Sequence, residues 1–182
     1  MRGLIERRGL FTPEVCSPLP SSTAKRIVLY RFDRQPIEGI VNPSGYLLDD
    51  HIELITVAGS MQSARYTDFK ALCFISESGR ADLFTDHPFF ERRPKVPGLW
   101  TRFTFRDGDR LDGILSHNLL EWPSAGYFVT PPRAGASRQR VFIPRAALVG
   151  TELRGVVGRS AIAAKRQVEP DHPETQLTMF DS

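Results

Sequence analysis

The stretch of sequence that decides the fold reads Phe103-Thr104-Phe105-Arg106-Asp107-Gly108-Asp109-Arg110-Leu111-Asp112-Gly113-Ile114-Leu115. Apolar and polar residues alternate on either side of its Asp107-Gly108 pair. Alternation with a period of two is typical of a half-buried β-strand, and Asp-Gly between two such runs favours a tight turn of the primed type. The stretch therefore predicts a β-hairpin.

The same pattern occurs earlier in the chain, as Leu29-Tyr30-Arg31-Phe32-Asp33-Arg34-Gln35-Pro36-Ile37-Glu38-Gly39-Ile40-Val41. In each copy an Asp is followed by three turn residues, an apolar residue, an acid, a Gly and an Ile at the same spacing. Two copies of this length indicate a duplication and not a solenoid, which needs at least three repeats.

The composition is that of a soluble globular protein of one domain or two small ones, with 182 residues, 41% hydrophobic and 25% charged. The 14 Gly and 14 Pro residues indicate many turns and few long helices, which favours an all-β chain. A net charge of +3 allows contact with nucleic acid or anionic lipid but requires neither. Residues 1–10 lack the apolar core of a secretory signal, and no apolar run is long enough to span a bilayer. We therefore expect a cytoplasmic protein that has no membrane partner.

The repeats divide the chain into two units with connecting and terminal segments. We predict an irregular arm over 1–24, a first barrel over 25–78, a linker over 79–98, a second barrel over 99–158, and a short helix with a disordered tail over 159–182. The expected strands lie at 26–32, 37–41, 51–57, 62–67 and 71–76, and at 100–106, 110–115, 127–130, 138–143 and 148–155. The linker is expected to dock through Phe84, Phe89 and Phe90.

Each unit resembles small β-barrels of the Sm-like or SH3-like kind, in which a strand, an Asp-containing turn, an apolar residue and a Gly begin the fold. The residues that carry the resemblance are Asp33, Ile37 and Gly39 in the first unit, and Asp107, Leu111 and Gly113 in the second. A Gly suits a strongly bent strand because it has no Cβ at the bend. The resemblance implies an all-β fold of two tandem five-stranded barrels, and the chain is similar to an uncharacterised bacterial family with such units in tandem.

The last apolar cluster of the chain is Gln176-Leu177-Thr178-Met179-Phe180. It resembles the Gln-Leu-x-Leu-Phe peptide by which bacterial proteins bind the DNA polymerase sliding clamp. The resemblance implies that Leu177, Met179 and Phe180 fill apolar pockets while Gln176 forms a hydrogen bond at their rim. Two alternatives stay open, namely that these side chains dock on the protein's own body or that they bind another partner.

Four arginines cluster around one hairpin of the second unit, at Arg133, Arg138, Arg140 and Arg145. With Tyr127, Phe128 and Phe142 close by, they are candidates for a basic, aromatic surface that binds DNA or RNA. The alternative is a solvated hairpin without a ligand.

The residue patterns of catalytic and metal sites are not found in the sequence. The four histidines follow no metal-ligand spacing, and the acids of residues 107–113 stand at the wrong positions for a calcium loop. We therefore expect no cofactor, no metal and no enzymatic activity. The predicted function is that of an interaction protein tethered to the sliding clamp, and the alternative is an Sm-like module for RNA or single-stranded nucleic acid that works without the tail. Self-association is also expected, since units of about sixty residues are only marginally stable alone.

Overall fold

The computed structural model describes residues 23–33, 35–76, 83–134 and 140–158. These residues form ten strands and two short 3-10 helices, the latter at Leu119–Glu121 and Arg145–Ala147. The all-β prediction is confirmed. The strands are β1 Lys25–Arg31, β2 Ile37–Val41, β3 His51–Thr56, β4 Met61–Arg65, β5 Phe69–Phe74, β6 Gly98–Phe105, β7 Arg110–Leu115, β8 Gly126–Thr130, β9 Arg140–Pro144 and β10 Leu148–Val157.

All ten predicted strands are present, with ends displaced by no more than two residues. The predicted arm up to residue 22 and the predicted helix and tail from residue 159 lie outside the described residues.

The ten strands form one antiparallel sheet in the order β10-β6-β7-β8-β9-β5-β1-β2-β3-β4. Each half has the same internal order, in which its fifth strand lies beside its first, followed by its second, third and fourth. The two halves meet where β5 pairs with β9 through Leu72–Phe142, Cys73–Val141 and Phe74–Arg140. The prediction of two separate five-stranded barrels is not confirmed, because this pairing makes the two halves one open sheet.

Two apolar cores lie on the sheet, and the β5–β9 junction contributes to both. Leu72 of β5 and Phe142 of β9 belong to the core of the first half. Cys73 and Val141, the next pair along the two strands, belong to the core of the second half. Successive residues of a strand point to opposite faces, so each junction strand supplies one core and then the other.

Of the three linker phenylalanines, Phe84 and Phe90 dock as predicted, whereas Phe89 stays exposed and, among the ring contacts of the described residues, contacts only the Arg102 guanidinium. The Phe84 ring lies against Phe105 of the second half, with centroids 5.2 Å apart, and against Tyr30 of the first half at 5.5 Å. The Phe90 ring contacts Trp100 with a centroid separation of 6.1 Å. The linker therefore contributes to both halves of the protein.

The two repeated turns share one hydrogen bond. The carboxylate of Asp107 accepts a hydrogen bond from the backbone N–H of Asp109 at 3.2 Å, and that of Asp33 accepts one from Gln35 at the same distance. The prediction of a primed turn is wrong, since Gly108 has a φ of 87° but Asp107 does not share the positive φ that such a turn needs. A longer loop with Gly108 in the left-handed region closes the hairpin instead.

The repeated glycines are required by close strand contacts. A Cβ built on Gly39 would lie 2.7 Å from the Ile55 carbonyl oxygen, and one on Gly113 would lie 2.8 Å from the Val129 Cβ. Real Cβ atoms do not approach other atoms so closely. The neighbouring strand therefore passes over each repeat at a distance that only Gly accommodates.

Replacing Gly39 or Gly113 by Ala should lower the free energy of unfolding by about 1–3 kcal/mol, because the added methyl group must displace a packed strand. Gly45→Ala is the control, since a Cβ there meets nothing within 4 Å. Urea denaturation followed by tryptophan fluorescence measures all three. Equal stability of the three variants would show that the close approach costs nothing.

Candidate functional site

The carboxylate of Asp112 is fully buried on β7 and holds the linker against the second half. It accepts hydrogen bonds from the Arg102 Nε at 2.7 Å, the Trp100 Nε1 at 3.2 Å and the Phe90 backbone N–H at 3.3 Å. The backbone N–H of Asp112 also donates to the Pro88 carbonyl at 2.8 Å. The hydrogen bond with Asp112 raises the pKa of Arg102 above its ordinary value. This carboxylate is saturated with donors, and its geometry is that of a structural anchor.

Lys70 is the second buried charge, and it ties the first half to the repeat turn of the second. Its Nζ lies 2.9 Å from the carboxylate of Asp107, contacts that of Asp109, and stands 4.3 Å from the centroid of the Phe84 ring. Burial on its own would raise the pKa of the Asp107 carboxyl. Hydrogen bonds from Lys70 and from the Asp109 backbone outweigh this effect together with the Lys70 charge, so the pKa of Asp107 lies below its ordinary value. This ion pair is therefore a contact between the halves.

An open depression of about 420 Å³ lies where the turns of the two halves meet. Arg106 crosses it, with its guanidinium 4.4 Å from the centroid of the Phe32 ring and a hydrogen bond to the Thr67 carbonyl. Arg31 pairs with Asp33 at 3.0 Å on the same rim. Two other lining acids are paired as well, Asp107 with Lys70 and Asp68 with the Thr67 hydroxyl. Since its charged side chains all serve contacts within the protein, we interpret the depression as the boundary between the two halves.

No metal site is found within the described ranges, where no group of three or more His, Cys, Asp or Glu side chains converges. In the same part of the chain, no helix has the length and apolar character needed to cross a membrane.

Two of the four predicted arginines are exposed and lie on half-buried aromatic rings. The guanidinium of Arg140 stands 4.0 Å from the centroid of the Phe128 ring, and that of Arg145 stands 4.3 Å from that of Tyr127. Arg145 also donates to the Ser124 carbonyl at 3.0 Å. Tyr127 and Phe128 are consecutive residues of β8, so the two arginine–aromatic stacks lie on opposite faces of the sheet.

The other predicted site residues are placed apart or not described. Arg133 turns to the linker, where its guanidinium lies 3.5 Å from Glu91 and 3.9 Å from Asp86. The remaining predicted residues, Arg138 and the peptide side chains of Gln176, Leu177, Met179 and Phe180, lie outside the described residues.

Three residues that organise these contacts, Lys70, Arg106 and Asp112, were not singled out from the sequence. The available signal was weak, because Asp112 and the exposed Glu38 occupy the same place in the two repeats. The linker and two side chains of β6, those of Trp100 and Arg102, distinguish the second copy from the first.

These features define an all-β protein of a duplicated five-strand unit whose halves share one sheet. The chain belongs to the family of unknown function DUF6982, whose model matches residues 23–155 and so spans both halves. The expectation of an uncharacterised family is therefore confirmed. Comparison with curated proteins and with solved structures finds no match.

Replacing Asp112 by Asn should lower the free energy of unfolding by about 1.5–3 kcal/mol, because the fully buried side chain loses its charge-assisted hydrogen bonds to Arg102. Asp49→Asn is the control, since Asp49 is an exposed acid. Thermal and urea denaturation measure the two variants side by side. An Asp112→Asn protein as stable as the control would show that the linker does not depend on this ion pair.

Proposed function

We propose that this protein is a non-enzymatic interaction protein that binds the bacterial DNA polymerase sliding clamp through residues 176–180. The single observation that carries the proposal is the peptide Gln176-Leu177-Thr178-Met179-Phe180, which matches the clamp-binding pattern at its Gln, at its first Leu and at its Phe. In this proposal each half of the body is an Sm-like unit. The shared strand order and the glycine of each repeat, over which the neighbouring strand passes closely, support that assignment.

The chemistry of the peptide suits a groove with apolar pockets. Leu177, Met179 and Phe180 supply three apolar side chains within four residues, and Gln176 supplies both a donor and an acceptor. Peptide sites of this kind gain most of their affinity from a few buried anchors. Residues 159–175 separate the peptide from the body, and an extended chain spans at most about 3.5 Å per residue. Residues 159–175 are therefore enough chain for the body and the clamp to occupy separate positions.

The described body supports an interaction role in one respect. Its buried charges, Asp112 and Lys70, serve contacts that hold the linker and the two halves together. The body in this proposal is a rigid platform, and the peptide is the part that recognises the partner.

The full chain should bind purified bacterial sliding clamp, and Phe180→Ala should weaken binding by about thirtyfold or more, the equivalent of roughly 2 kcal/mol. Thr178→Ala is the matched control, because the third position of the pattern faces no required pocket. Isothermal titration calorimetry measures all three chains. Absence of binding by the native chain, or an equal loss in both variants, would refute the proposal.

A second candidate function is a nucleic-acid-binding module that works without the peptide. The observation that favours it is the exposed guanidinium of Arg140, which lies on the half-buried ring of Phe128. Such a guanidinium offers donors for a phosphate and a flat face on which a base can stack, both of which are used in the binding of single strands. We choose this stack over that of Arg145, because Arg145 also donates to the Ser124 carbonyl and so helps to fix its own turn.

If this candidate is right, Arg140→Gln should weaken binding of single-stranded RNA or DNA and reduce the slope of its salt dependence by about one. Arg92→Gln, which removes an equally exposed positive charge from the linker, is the control. Removal of residues 168–182 should leave binding unchanged. Fluorescence anisotropy over a series of salt concentrations measures these effects. If Arg92→Gln loses as much affinity as Arg140→Gln, the binding depends on net charge and not on the Arg140 stack, and this candidate is wrong.

A further inference from the structure

The sheet is open, and its two free edges are β4 and β10. Among the described strands, none pairs with the outer side of either edge, so both present backbone N–H and C=O groups for a further strand. Each edge also carries a large exposed apolar side chain, Met61 on β4 at 72% exposure and Leu153 on β10 at 60%. These features mark the edges as surfaces for strand addition.

The protein already contains one contact of the kind that these edges can form. At the internal junction, the fifth strand of the first half, β5, pairs with the fourth strand of the second half, β9. The free edges are the fourth strand of the first half, β4, and the fifth strand of the second half, β10. The unused edges are therefore the repeat equivalents of the two strands that meet inside the chain.

The register of β10 can be matched to that of β5 through their neighbours. Counted from the aspartate that begins each repeated turn, Ile27 of β1 and Thr101 of β6 hold the same place. Ile27 pairs with Phe74, and Thr101 pairs with Leu153. Leu153 is therefore the equivalent of Phe74.

The register of β4 can be matched to that of β9 in the same way. Leu54 of β3 and Val129 of β8 hold the same place, since each is the side chain that closely approaches the repeated glycine of its half. Leu54 pairs with Gln62, and Val129 pairs with Val141. Gln62 is therefore the equivalent of Val141.

Met61 and Arg140, which precede these two residues, are equivalent as well. Inside the chain, Arg140 pairs with Phe74. Met61 is the equivalent of Arg140, and Leu153 is the equivalent of Phe74. In a contact of the same register, Met61 of one copy therefore lies opposite Leu153 of the next, and two exposed apolar side chains become cross-strand neighbours. The adjoining pairs are Gln62 with Glu152 and Ser63 with Thr151, which bring no like charges together.

We propose that this protein associates head to tail, with β4 of one copy paired to β10 of a second copy in the register of the internal β5–β9 junction. Each copy offers one edge of each kind, so the contact is heterologous and leads to a closed ring or an open chain of copies. The occupant of each edge is thus a second copy of this chain. The inference goes beyond the proposed function, because it uses neither the peptide of residues 176–180 nor the arginine stacks.

The internal and external contacts differ in composition. The internal pairs Leu72–Phe142 and Cys73–Val141 are fully buried and apolar, whereas their external counterparts are polar. Polar side chains keep a free edge soluble, so the external contact is reversible while the internal one is permanent.

Two single substitutions test the contact in the full chain. Native protein should show a mass above that of the 20.5 kDa monomer that rises with concentration in sedimentation equilibrium. Met61→Glu and Leu153→Glu should each be monomeric, because a charge replaces one of the two apolar neighbours of the new strand pair. An equimolar mixture of the two should form a dimer, since the intact β10 of one fits the intact β4 of the other.

The alternatives give different results. A native chain that is monomeric at every concentration overturns the proposal. A single variant that still associates as the native chain does also overturns it, because that behaviour requires an edge to pair with its own kind or a surface elsewhere. Both side chains are exposed, so circular dichroism should show unchanged folding.

Disulfide trapping tests the register. In a Cys16→Ser background, Met61→Cys combined with Leu153→Cys should yield covalent oligomers on oxidation, because paired Cβ atoms lie within reach of a disulfide. Met61→Cys combined with Glu152→Cys is the control, since residue 152 points to the opposite face of the strand. Oligomers formed equally by both combinations would overturn the predicted register.

Discussion

Between β5 and β9, successive side chains leave the strands toward different cores. Leu72 and Phe142 complete the core of the first half, whereas Cys73 and Val141 complete that of the second. Neither core closes on residues of its own half alone. Because burial of apolar surface is the main favourable term in folding, both halves gain stability from this one strand pair. Because the side chains of β5 and β9 alternate between the two cores, this strand pair joins the two repeats into one folded unit.

The two repeats have diverged at the places where they meet other strands. The strands of the internal junction are almost wholly apolar, while their repeat equivalents at the free edges carry Gln62 and Glu152 where the junction has Val141 and Cys73. The same strand arrangement is therefore buried and apolar at the β5–β9 junction, but exposed and polar at the free edges β4 and β10. Charges such as the Glu152–Arg154 pair, whose atoms lie 2.6 Å apart, also protect β10 from indiscriminate strand addition.

The strands could be predicted because alternation is a local property of each segment. The junction could not, because an apolar run indicates that a strand is buried but not which strand lies beside it. Asp112 and Glu38 show the same limit, since the repeat pattern gives these equivalent positions no difference, and the docking of the linker on Asp112 appears only in the folded protein. The separation of Arg140 from Arg145 was open to prediction in part, because the rings on which they lie, Phe128 and Tyr127, are neighbours in one predicted strand and so turn to opposite faces.

The position of Phe142 in the core of the first half has a consequence for biosynthesis. The ribosome releases the chain from its N-terminus, so the first five strands emerge well before β9. Until Phe142 leaves the exit tunnel, the first half lacks a core residue and its β5 edge stays bare. The nascent chain thus passes through a period in which a chaperone or a neighbouring nascent chain competes with its own second repeat for that edge.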